Sequence, residues 1–197
     1  MDNFGGKRMK KVLAILGSPR ASGNASKMLD IAIKQAETLN YEVTRVNLFE
    51  KSIAYCTGCM KCRENGVCII KDDLQDICQS LIDCDLVIIS SPTYFANVPA
   101  PVKNLFDRLA GAIYDDNRSM IPKPKLSSSQ RYILMTTCNT PAPFDRLAGQ
   151  STGCIKAMKE FFHTSGMKCK GKVIFAGTRK EKEMPASIIR KITKIVS

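Results

Sequence analysis

The sequence predicts an α/β fold: a five-stranded parallel sheet, strand order 2-1-3-4-5, with helices on both faces. Three observations predict it. Five short strand-like runs alternate with five segments of helical period. The first and third runs are wholly apolar, as strands covered on both faces are, whereas the second mixes polar and apolar residues like a half-exposed edge strand. Between the first strand and the first helix lies a loop rich in Gly and Ser, the kind of connection that holds a phosphate.

Residues 1–10 read as a loose N-terminal tail. Strand one covers 12–16. Helix one, over 24–39, repeats Met28, Ala32, Ala36 and Leu39 on one face, with Leu29 and Ile33 alongside. Strand two covers 41–48. From 49 to 71 there is no helical period, only a cysteine-rich loop, and loops of that length in compact domains are usually functional. Helix two starts near Asp73 and turns Leu74, Ile77, Cys78, Leu81 and Ile82 to one side. Strand three covers 86–89 and runs out at Ser90 to Phe95. Helix three begins near Pro101, a residue suited to a first helical turn, and buries Val102, Leu105, Phe106, Leu109 and Ile113.

The span 114–130 is a mostly polar connection broken by Pro122 and Pro124. Strand four covers 132–135 and runs out at Thr136, Thr137 and Cys138. Helix four, 151–163, buries Ile155, Met158 and Phe162; strand five covers 173–176, and a last helix aligns Ile188, Ile192 and Ile195. In the order 2-1-3-4-5, strands one and three flank the point where the winding reverses, and ligands of such sheets bind there, beyond the carboxyl ends. The loops after those two strands therefore face one crevice.

A chain of 197 residues reads as one domain over 1–197. Its apolar runs are too short to cross a bilayer, and residues 1–6 carry no apolar signal core, so a cytoplasmic protein without a membrane partner is expected. Nine cysteines without an export signal argue for thiols or metal ligands over a disulfide frame. The net charge of +12 would attract acidic partners, but it is spread along the chain. No basic block is interleaved with aromatics, so nucleic acid is not the expected partner.

The first loop is Gly17-Ser18-Pro19-Arg20-Ala21-Ser22-Gly23-Asn24-Ala25-Ser26. Amide hydrogens of the first helical turn point at an anion held there, and the helix dipole favours its charge. Arg20 supplies a positive charge; Ser18, Ser22, Asn24 and Ser26 supply side-chain donors. Neither Gly-x-x-x-x-Gly-Lys-Ser/Thr nor Gly-x-Gly-x-x-Gly is present. The loop after strand three offers Pro92, Thr93, Tyr94, Phe95 and Asn97, which suit the apolar walls and polar edge of a flat ring. One anion socket with one aromatic platform suits a mononucleotide better than a dinucleotide.

Gly17-Ser18-Pro19-Arg20 with Gly23-Asn24, then Ser91-Pro92-Thr93-Tyr94-Phe95, then Pro101 to Arg108 together resemble the NAD(P)H-dependent FMN reductase family, clearly so to about residue 110. The resemblance implies the flavodoxin-like fold, a three-layer sandwich. It implies that Ser18, Arg20, Gly23, Asn24 and Ser26 surround the FMN phosphate, and that Pro92, Thr93, Tyr94, Phe95 and Asn97 contact the ring system, with Thr137 and Cys138 as looser neighbours. The family often has Thr or Ser directly after the Asn; this chain has Ala25 there, with Ser26 the next hydroxyl.

The second constellation is Cys56, Cys59, Cys62 and Cys68, four of the nine cysteines in one loop. Clustered thiolates ligate soft metals, and four match an iron–sulfur cluster or a structural zinc; free thiols are the third reading. The pattern Cys-x2-Cys-x2-Cys-x5-Cys resembles the iron–sulfur flavoproteins, a branch of the same family in which such a loop holds a [4Fe-4S] cluster beside FMN. Cys78, Cys84, Cys138, Cys154 and Cys169 read as scattered small core residues. His163 is the only histidine, and flavin chemistry needs no general base. Asp107 and Arg108 read as a solvated helix face.

The resemblance implies an enzyme that takes electrons from NAD(P)H or a reduced partner onto FMN and passes them to a flavin, quinone or redox protein, as a homodimer or homotetramer. The alternative class is a non-enzymatic electron carrier that docks to larger redox partners. A metal-stabilised nucleic-acid binder is the third.

Overall fold

The computed structural model describes residues 8–115, 121–179 and 183–197. In chain order the elements are β1 (Lys11–Leu16), α1 (Asn24–Thr38), β2 (Glu42–Asn47), α2 (Cys62–Asn65), α3 (Leu74–Asp83), β3 (Leu86–Pro92) and α4 (Ala100–Ile113). They continue with β4 (Tyr114–Asp115), β5 (Lys123–Pro124), β6 (Arg131–Cys138), α5 (Phe144–Leu147), α6 (Gln150–Thr164), β7 (Lys168–Ala176) and α7 (Ala186–Val196). Most of the expected N-terminal tail lies outside the described residues.

Five strands form one parallel sheet in the order β2-β1-β3-β6-β7, the expected 2-1-3-4-5 once the small β4-β5 pair is set apart. Successive strand residues point to opposite faces, so each central strand feeds two cores. On one side Leu13, Ile15, Val87, Ile89 and Leu134 pack with Ile77 and Leu81 of α3, Leu105 of α4 and Phe162 of α6. Val12, Ala14, Leu16, Ile88 and Met135 pack with Met28, Leu29, Ile192 and Val196 of α1 and α7 on the other. That double burial is why β1 from Val12 onward and β3 as far as Ile89 are apolar.

The sheet runs further than the apolar runs do. Strand β6 pairs with β3 as far as Thr137, because the buried Thr136 and Thr137 complete their backbone ladder at the sheet's carboxyl edge. Strand β7 starts at Lys168, five residues before its apolar core, with a register shift opposite Tyr132 and Ile133. It is an edge strand, and the exposed lysines at 168 and 172 discourage pairing with another chain. In the connection read as irregular, Tyr114–Asp115 pairs antiparallel with Lys123–Pro124; part of that connection, 116–120, lies outside the described residues.

Candidate functional site

At the carboxyl edge the loop from Gly17 to Gly23 joins β1 to α1. Ser18 Oγ accepts from Arg20 N at 3.2 Å, and Gly23 N donates to Arg20 O at 3.1 Å, which folds the loop back over the helix start. Helix α1 begins without a side-chain cap and without an acid in its first turn, so its leading amides stay available and unopposed. Buried Ser90 of β3 donates its hydroxyl to Ala25 O at 2.7 Å and fixes this helix end against the sheet.

After β3 the chain makes a tight turn: Tyr94 and Asn97 exchange backbone hydrogen bonds at 2.9 Å, with Phe95 and Ala96 at φ of 48° and 60°. Two consecutive left-handed residues give a type I′ turn, built here without the usual Asn-Gly. Its tip, Phe95, is wholly exposed. Thr93 is held to β6 through its N–H to Thr137 O at 2.8 Å and its hydroxyl to that of Thr136 at 3.0 Å.

The two loops share one cavity of about 120 Å³. Ser18, Arg20, Gly23 and Asn24 line it from one side, and Pro92, Thr93, Tyr94 and Thr137 from the other. Four expected residues stand elsewhere. Ser26 is fully buried and its Oγ accepts from Arg45 Nη2 at 3.1 Å. Phe95 projects into solvent. Asn97 turns its Oδ1 to Val98 N at 2.8 Å and lines a neighbouring groove. Cys138 is buried, and its carbonyl accepts from Thr178 N at 3.1 Å. Sequence reasoning missed Asn139 and Thr178, which line the same cavity and are joined Thr178 Oγ1 to Asn139 Oδ1 at 3.0 Å. Their signal was position: they follow the fourth and fifth strands of the sheet at the same edge.

The cysteine loop lies against α4. Its one helical element, α2, is a single turn closed by Gly66 at φ 72°, a left-handed helix end that glycine takes without strain. Cys56, Cys59, Cys62 and Cys68 all line one cavity of about 90 Å³. Gly111 of α4 forms part of its wall, and any Cβ there would collide with the carbonyl of Cys62. Among the described residues, no three such side chains are drawn together closely enough to hold a metal ion. Four soft donors ringing one cavity nonetheless fit a thiolate-ligated cluster in kind. The N–H of Lys61 lowers the exposed thiol of Cys59 below its ordinary value.

Of the remaining cysteines, Cys78, Cys84, Cys138 and Cys154 are buried, and only Cys169 is exposed. Burial pushes the Cys84 thiol up to about 12, so it stays protonated and inert.

Arg108 overturns the solvated-face reading. It is 2% exposed, and it uses all five guanidinium N–H groups on the cysteine loop and its end. Nε donates to Cys68 Sγ at 3.2 Å, Nη1 to Ala54 O and to Asp72 Oδ2 at 2.9 Å, and Nη2 to Ile70 O and Asp72 Oδ1, both at 3.2 Å. Asp107, by contrast, is exposed and pairs with Lys103 one turn back.

Burial alone would raise the Asp72 carboxyl. The bonds from Arg108, Leu74 N and Ala54 N outweigh it and hold Asp72 below the ordinary 3.8. Because the folded-state value lies below the unfolded one, the resulting stability is fully present above the unfolded value and is lost as pH falls through the folded one. Asp72→Asn should therefore cost about 2 kcal/mol at neutral pH, the size of a lost charge-assisted hydrogen bond. Urea unfolding across acidic pH checks it: the gap to wild type should close only below 3.8.

A parallel sheet in this order, with a cavity shared by two loops at its switch point, defines the flavodoxin-like class. The chain belongs to the NADPH-dependent FMN reductase family, which matches residues 10–128. An iron–sulfur flavoprotein of Archaeoglobus fulgidus is 46% identical over 99 residues, 50% of this chain and 45% of that protein. An iron–sulfur flavoprotein of Methanosarcina thermophila is 35% identical over 98 residues, 50% of this chain and 51% of that protein. The chain thus spans about half the length of these curated relatives. An FMN-dependent NADH-azoreductase from Bacillus anthracis, solved in complex with FMN, shares the fold with a TM-score of 0.70 at 16% identity, over 95% of this chain and 96% of that one.

Proposed function

We propose that the protein is an FMN-dependent oxidoreductase that passes electrons from NAD(P)H or a reduced partner to a flavin, quinone or redox-protein acceptor. The observation that carries this reading is the single cavity shared by the loops after β1 and β3. When bound, FMN supplies the exchange between two-electron and one-electron chemistry, and a [4Fe-4S] cluster supplies one-electron transfer. Arg20, Ser18 and the leading amides of α1 hold the phosphate; Pro92, Thr93, Tyr94 and Thr137 position the ring and exclude water from one side of it.

Cys56, Cys59, Cys62 and Cys68 would hold the cluster, a reading supported by the names of the iron–sulfur flavoprotein relatives and by the shared cavity. One groove supports placing the two sites side by side. It measures about 710 Å³ and is lined by Cys56 and Gly58 as well as by Asn97, the closing residue of the Tyr94 turn. A homodimer or homotetramer in the cytoplasm completes the reading; among the described residues no helix is long and apolar enough to cross a membrane.

Steady-state oxidation of NADPH or NADH with a quinone or free flavin as acceptor tests the activity. Turnover that depends on added FMN is the expected result. A flavin-loaded protein that exchanges electrons with protein partners, but turns over neither nicotinamide nor a quinone or free flavin, would instead be a carrier.

A further inference from the structure

Helix α4 carries three residues that face the cysteine loop at helical spacing. Asn104 donates Nδ2 to Ile53 O at 3.3 Å and Ala54 O at 3.2 Å, while its Oδ1 accepts from Cys56 N at 3.2 Å. One turn on, Arg108 binds both ends of the loop and the sulfur of Cys68. Gly111, three residues further, lets the backbone of Cys62 lie directly on the helix.

Such a buried arginine is costly to desolvate, and only its complete set of partners makes it tolerable. Those partners are Asp72 and groups of the loop. A second cationic role follows from geometry. Its N–H points at one of four sulfurs that would share negative charge, and hydrogen bonds to sulfur are among the features that set a cluster's potential.

We propose that Arg108 is the positioning residue of the four-cysteine site: it closes the loop before any cluster enters, and its N–H on Cys68 makes the loaded cluster easier to reduce. This inference rests on the cluster reading for its second half only; the first half concerns the metal-free protein. A planar fork bonded at five points is not replaced by lysine, which keeps the charge and loses the geometry.

The test compares wild type, Arg108→Lys and Arg108→Gln, each purified with FMN. Metal-free samples are digested with trypsin, which cuts after Lys51, Lys61, Arg63 and Lys71 inside the loop. A second portion is reconstituted anaerobically with ferrous iron and sulfide, assayed for iron, and titrated with dithionite. Both variants should keep FMN. Metal-free Arg108→Gln should be cut at the loop sites, Lys61 and Arg63 above all, at least about tenfold faster than wild type, with sites outside 49–71 unchanged, as expected for a segment that opens more often. Loaded Arg108→Lys should show an about tenfold smaller equilibrium constant for reduction, about 59 mV lower for one electron.

Loss of iron from either variant with FMN retained also supports the positioning role. Wild-type cutting rates together with a wild-type potential in both variants would overturn the proposal. So would loss of FMN from both, since the clamp is local to the loop. If wild type itself takes up no iron, the cluster reading fails, and the digestion alone decides whether Arg108 holds the loop.

Discussion

Replacing Arg20 by alanine should weaken FMN binding by about tenfold or more, the effect of losing one charged contact to a phosphate. Arg20 is exposed at the mouth of the cavity, so part of its attraction is screened by solvent, which sets the lower bound. The cradle would keep its backbone donors: the α1 amides remain, and Ser90 still anchors the helix start. The loss should therefore be graded, larger at low salt than at high salt, and seen as a weaker quench of flavin fluorescence in titration. Unchanged affinity at both salt concentrations would place the phosphate elsewhere.

Cys59→Ser should remove nearly all bound iron while leaving FMN content unchanged. A hydroxyl is a hard, weakly acidic donor and a poor substitute for thiolate in an iron–sulfur site. The flavin should be spared, because none of Cys56, Cys59, Cys62 and Cys68 lines the cavity between the loops after β1 and β3, and those loops are tied to β3 and β6 instead. Iron, sulfide and flavin assays on an anaerobic preparation check both halves. Loss of both cofactors together would contradict two separate sites.

The fold was legible because the burial of β1 and β3 on two faces writes itself as unbroken apolar runs, and the polar character of β2 marks the sheet's edge. The ends of β6 and β7 were not legible. Thr136, Thr137 and the lysines of 168–172 sit in strands for the sake of backbone pairing, which leaves no apolar trace. The loop after β1 was visible as a strand–loop–helix junction, but the fate of each hydroxyl was not: Ser26 follows Ala25 into the buried face of α1, a matter of helical phase against β2.

Arg108 was hidden for a different reason. A charged residue one turn from Asn104, next to Asp107, has the local look of a solvated face. Its carboxylate partner, Asp72, lies 36 positions earlier, at the end of the cysteine loop, with α3 and β3 in between. No local pattern carries such a pair. The four cysteines were legible by spacing alone, whereas their shared cavity depends on Gly111, whose missing side chain is a long-range requirement of the Cys62 backbone.

Parallel titrations of flavin-free protein with FMN and with riboflavin, followed by fluorescence at moderate salt, bear most directly on the claim that two adjoining loops grip a singly phosphorylated flavin. FMN should bind and riboflavin should bind at least about tenfold more weakly, since it lacks the anion that Arg20 and the α1 amides receive. Equal affinity for the two, or no binding of either by folded protein, would contradict the account.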